Sequence, residues 1–198
     1  MRARNILINI CIALASLLLF ALLFEQMLVL PAWLKVAGRM HPLVLHFPIS
    51  LLVLYCGLAL FTPHEMAPEG RLHSFSEWIL LLTALSATLT ALMGLFLSRE
   101  EGYDADALFW HKWSGLFIAF LTLMAYILRD KIVGSSSFRY GTVGLALAGI
   151  LLTGHQGAGI THGQNFLFAP MLPEQTKPVV PLADAEVFEH MVKPILEA

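Results

Sequence analysis

Five apolar runs, each of about 20 residues, at 6–30, 42–62, 75–98, 108–128 and 140–156, decide what this chain can become. A run of that length matches the hydrocarbon thickness of a bilayer, where each backbone polar group must be satisfied within the segment, as it is in a helix. Charge is too scarce for a water-facing surface: 13% of residues are charged and 58% are hydrophobic, against about 25% charged in soluble domains. The expectation is an all-α polytopic transmembrane helical bundle of about five helices (residues 1–165) with a short extracytoplasmic tail. The tail divides into a proline-rich linker at 166–183 and an amphipathic helix at 184–198. Lipid is then the chief partner, and a net charge of −2 gives nucleic acid no basic surface to bind.

The first run follows Arg2 and Arg4 and carries Glu25 in its distal part. It exceeds an ordinary signal-peptide core and lacks a small-x-small cleavage site, so it reads as an uncut helix that turns into the interface near Pro31 and Trp33. Lys and Arg in the connecting loops set the orientation. Arg2, Arg4, Arg71, Arg129, Lys131 and Arg139 fall on one side, and Lys35, Arg39, Arg99 and Lys112 on the other. This bias puts the N-terminus in the cytoplasm and the tail outside, in an inner (cytoplasmic) membrane.

Alternation of the helices through the membrane then collects five histidines at the outer side. His41 and His46 lie at the start of the second helix, His111 near the start of the fourth, His155 at the end of the fifth and His162 just beyond. Ionisable groups at membrane depth are rare and mark functional sites, and neutral imidazole is the commonest metal ligand. His41 and His46 are five residues apart and point to different sides of a continuous helix. The glycines after Gln156 predict that the fifth helix stops there. Small residues form grooves beneath the histidines: Ser50 and Gly57, Gly115 and Ala119, Ala148, Gly144 and Gly141. The third helix has its own stripe of Ala84, Ala87, Ala91, Gly94 and Ser98. Such stripes let helices approach closely, and they also admit a flat macrocycle.

Two chemistries suit these donors. Haem iron takes axial histidines from two facing helices, and one or two b-type haems would use some of His41, His46, His111, His155 and His162. No CxxCH is present for a covalent haem. The competitor is bare copper, zinc or iron on His46, His111 and His155. A passive membrane anchor is the third reading. Trp33, Trp110, Trp113, Tyr103 and Phe109 form an aromatic belt at the same side, where a quinone would reach a redox centre, with Glu25 as a proton acceptor. Cys11 and Cys56 sit inside apolar runs and read as small buried residues. No nucleophile–base arrangement assigns an enzymatic reaction.

The stretch Gly38-Arg39-Met40-His41-Pro42-Leu43-Val44-Leu45-His46-Phe47-Pro48-Ile49 resembles the opening of a bacterial family of membrane domains. Gly102-Tyr103-Asp104 followed by His111 and Gly115 resembles its middle. Thr153-Gly154-His155-Gln156-Gly157 and Thr161-His162-Gly163 resemble its end. The resemblance covers residues 38–165. In many relatives this domain precedes a periplasmic cytochrome c module of the planctomycete type, and residues 187–198 are similar to the helix that leads into that module's CxxCH. The resemblance implies a redox anchor that binds b-type haem and serves a periplasmic c-type cytochrome.

Overall fold

The computed structural model describes residues 2–163, 166, 168–171 and 192–197. All regular structure among them is helical. The chain divides into two compact units, 1–166 and 167–198. The second unit contributes a 3-10 turn, Ala169–Met171, and a short helix, Lys193–Leu196. The rest of the expected linker and tail helix lies outside the described residues.

Five helices in the first unit are long and apolar enough to cross a membrane. The first is α1 (Arg2–Leu23). The second span, Ala32–Phe61, consists of α2 (Ala32–Arg39), α3 (His41–Val44) and α4 (His46–Phe61). Then come α5 (His73–Leu97), α6 (Ala105–Ile127), a short α7 (Arg129–Gly134) and α8 (Ser136–His162). The termini follow local chemistry. Asp104 caps α6 by accepting from the Ala107 N–H at 2.8 Å, and Pro31 stands in extended conformation before α2.

The helices α4, α5, α6 and α8 form a closed ring in which α4 also packs on α8. Outside that ring, α1 and α2 both lie against α5. That makes α5 the central helix: 72% of its most apolar window is buried, against 17–28% for the other spans. Thr83 and Thr88 survive in this interior because their hydroxyls donate back to the carbonyls of Ile79 (2.7 Å) and Ala84 (2.8 Å). Large apolar side chains such as Phe20, Val53, Phe61, Leu145 and Leu151 stay exposed. On a helix in water that would be a liability, whereas acyl chains solvate such a surface. This is a multi-pass membrane protein in contact with lipid.

Three boundaries differ most from the sequence expectation, one being that of the second span, which starts at Ala32 and not at 42. The first apolar run ends as a helix at Leu23, and a 3-10 turn, Glu25–Met27, follows it. At its far end, α8 continues through Gly157 and Gly159 to His162. Glycine lowers helix propensity in water, but in lipid the alternative is an unsatisfied backbone, so the helix persists.

Candidate functional site

The start of the second span sits beside the ends of α5 and α8 and the start of α6, so His41 and His111 reach the same end of the bundle. His41 and His46, five residues apart, point to different sides of the span, whose backbone keeps right-handed helical angles at Met40 and Leu45. The His41 ring turns inward onto α5, and its Nδ1 lies 2.9 Å from the Thr90 carbonyl oxygen. The His111 ring turns onto α8, and its Nδ1 lies 3.0 Å from the Thr153 carbonyl oxygen. The two ring centres are 6.0 Å apart, with their planes at 88°.

Each carbonyl is also the acceptor position for the helical N–H four residues on, and its second lone pair is normally flanked by that residue's Cβ. Here that residue is glycine both times. A Cβ on Gly94 would stand 2.9 Å from His41 Cε1 and 3.0 Å from its Nδ1; on Gly157 it would stand 3.0 Å from His111 Cε1 and 3.2 Å from its Nδ1. The missing side chains therefore make the space in which each imidazole lies against a neighbouring backbone. A carbonyl can only accept, so each Nδ1 carries the proton, and in the neutral ring Nε2 keeps the lone pair.

The hydroxyls of the same two threonines, Thr90 and Thr153, are buried without a hydrogen-bond partner among the described residues. Those of Thr83, Thr88 and Thr122 all find one. Buried orphan hydroxyls are polar capacity left over for water, and Tyr55 Oη and Arg139 Nε share that state. Beside His111, Lys112 Nζ lies 2.9 Å from a Glu25 carboxylate oxygen, and the two side chains are only 20% and 16% exposed. This ion pair ties the turn after α1 to α6.

The other expected donors are elsewhere. The side chains of His46 and His155 are exposed, and His162 is exposed and stacked on Phe166 with ring centres 4.4 Å apart. The trio expected for a bare metal, His46, His111 and His155, does not assemble: among the described residues no three His, Cys, Asp or Glu side chains come close enough to share an ion. Of the small-residue grooves, Gly94 lies under an imidazole, and Gly115 faces Thr153 at 3.8 Å. Gly141 and Gly144 face open space. The roles of Thr90, Thr153 and Gly157 were not visible in a search for side-chain donors, because what they contribute is backbone.

The model of one family, described as predicted membrane protein (DUF2231), matches residues 37–164. The chain belongs to this family. The DUF2231 match begins at the last residues of α2 and ends just past α8, so it takes in His41, His46, His111, His155 and His162 and both glycines while leaving α1 outside. No curated protein and no solved structure matches the chain.

Proposed function

We propose that this DUF2231 protein is a membrane electron-transfer protein that holds one b-type haem between His41 and His111. The observation that carries the reading is the paired imidazoles, 6.0 Å apart, each with its Nδ1 already committed to a carbonyl. Metal–imidazole bonds of about 2 Å, with each bonding nitrogen about 1.1 Å from its ring centre, keep two rings that share one metal within about 6 Å of each other, a limit this pair meets. His41 and His111 would hold the haem, since two histidine nitrogens are the protein donor set that a b-type haem takes. They leave a bare copper or zinc ion short of donors. A non-covalent haem also agrees with a sequence that lacks CxxCH.

A bound haem would supply one-electron redox chemistry. The chain would present the His41 and His111 Nε2 lone pairs to it, and through the Glu25–Lys112 ion pair it offers a carboxylate within the same end of the bundle. That carboxylate suits a donor that releases protons with its electrons, and the proposed donor is a quinol from the bilayer. The proposed acceptor is a periplasmic c-type cytochrome. The Lys and Arg bias supports an inner-membrane orientation with the N-terminus in the cytoplasm and the paired histidines on the periplasmic side.

The test is the optical spectrum of the purified protein in detergent. Dithionite should shift the Soret band and raise a sharp α-band of six-coordinate haem, and pyridine extraction should return one non-covalent haem per chain. A colourless protein after haem supplementation would refute the reading.

A further inference from the structure

The two halves of the ring repeat one another. In α5 the sequence reads Ser74-Phe75, then thirteen residues, then Leu89-Thr90, then three residues and Gly94. In α8 it reads Ser137-Phe138, then thirteen residues, then Leu152-Thr153, then three residues and Gly157. Aligned this way, every buried residue of α8 meets a buried one of α5: Val143 with Leu80, Ala146 with Thr83, Gly149 with Ser86. Outward positions agree too. Phe75 and Phe138 are 46% and 42% exposed, and Leu89 and Leu152 are 41% and 46%. The preceding helices repeat in part, although buried Leu116 and Ala119 of α6 fall opposite exposed His46 and Ile49 of α4. His41 is followed at six and ten residues by Phe47 and Leu51, and His111 by Phe117 and Leu121. Leu52, Tyr55 and Cys56 fall opposite Thr122, Ala125 and Tyr126, all buried. The packing follows the same rule, since α4 against α5 is matched by α6 against α8, and α5 against α6 by α8 against α4.

We propose that α3–α5 and α6–α8 are two copies of one helical hairpin, and that each copy carries an imidazole seat, Thr90 with Gly94 and Thr153 with Gly157. The seats hold His41 and His111 as Nδ1–H tautomers, with both Nε2 atoms offered to one ligand shared across the pseudo-two-fold axis. Only the identity of that ligand, haem, rests on the function proposed above. The four seat residues are positioning residues. The carbonyl fixes tautomer and rotation, as outer partners of metal-bound histidines do, and the glycine keeps the carbonyl reachable. A symmetric origin also explains why the chain spends two glycines near the ends of membrane helices where neither makes a turn.

The seats can be read without haem. In full-length apo protein carrying 15N-labelled histidine, with signals assigned from His41→Ala and His111→Ala, both rings should show a protonated Nδ1 and a bare Nε2. Free histidine favours the opposite tautomer. In Gly94→Ala the His41 ring should lose this signature while His111 keeps it, and Gly157→Ala should do the reverse. The atoms a new Cβ would meet belong to side-chain rings that can swing aside, so circular dichroism should stay that of the parent. Haem retention should weaken about 10- to 100-fold in each glycine variant, the usual effect of losing an outer partner. Should a variant fail to fold, it is remade with the facing histidine also changed to alanine; refolding of Gly94→Ala with His41→Ala supports the seat, and continued failure overturns it. An Nε2–H tautomer in the parent, or glycine variants that keep the parent signature, would overturn the seats even if haem binds. The tautomers as stated in a protein that takes up no haem would uphold the seats and dismiss haem alone.

Discussion

His41→Ala and His111→Ala should each abolish the haem absorbance, while His46→Ala, His155→Ala and His162→Ala should leave it in place. The asymmetry follows from where the rings are. His41 and His111 face each other with their Nδ1 atoms bound to Thr90 and Thr153, whereas the side chains of His46, His155 and His162 are exposed. On the proposed function, removing either histidine would take away a metal–nitrogen bond and leave a void beside the facing glycine. Haem retention should fall by more than about 100-fold, beyond the 10- to 100-fold typical of an outer partner. The measurement is the reduced-minus-oxidised α-band per mole of folded protein, with circular dichroism as the check on folding. Loss of the band in His46→Ala to the same extent as in His41→Ala would mean that the pair has been misassigned.

Much of this arrangement is legible in the residues, for reasons that also explain where legibility ends. Apolar runs of membrane-spanning length give the five spans, because a bilayer permits little besides a helix. Antiparallel alternation alone brings His41, His111 and His155 to one end. Which histidines meet is a different matter, since it depends on which side of the second span packs against α5. A strict count of five residues separates the two but does not say which one turns inward. The hydrogen-bond partners are harder still. Thr90 and Thr153 act through carbonyl oxygens, which every residue has, and the cue to them is a glycine four positions later. Gly157 carries that cue, yet a glycine there reads first as a helix terminus, and the expected stop after Gln156 hid it. The doubled spacing from Ser-Phe to Thr-x-x-x-Gly is the one sequence signal that points to both seats. It becomes meaningful only once α5 and α8 are seen to occupy equivalent places in the ring.

The end of the bundle away from the paired histidines should matter for stability. Glu77, 12% exposed in its side chain, accepts from Arg4 Nη1 at 2.8 Å and from Arg129 Nε at 2.7 Å, and His73 Nε2 lies 4.0 Å away. One carboxylate thus joins α1, α5 and the start of α7. For α1 this matters most, because that helix packs chiefly on α5 and its burial within the protein is slight. Glu77→Ala leaves two guanidinium groups facing one another without a counter-charge. Breaking a buried pair this way costs about 3–5 kcal/mol. The arginine side chains here keep 36% and 27% of their surface open, so solvent recovers part of that, and about 2 kcal/mol is expected to remain. In a chain of this size that corresponds to a fall of about 4–8 °C in the unfolding midpoint. Thermal unfolding in detergent micelles measures it, and the haem band at 25 °C should be unchanged because the cluster lies at the other end of α5. Arg4→Ala should cost less than Arg129→Ala, since Arg4 is the more exposed partner and a lost surface-facing donor is replaced by water. In the double variant Arg4→Ala with Glu77→Ala the loss should be smaller than the sum of the two single losses, the sign that both residues act through one contact. An unfolding midpoint in Glu77→Ala equal to that of the parent would show that lipid contact alone holds α1 against α5, with the carboxylate contributing nothing.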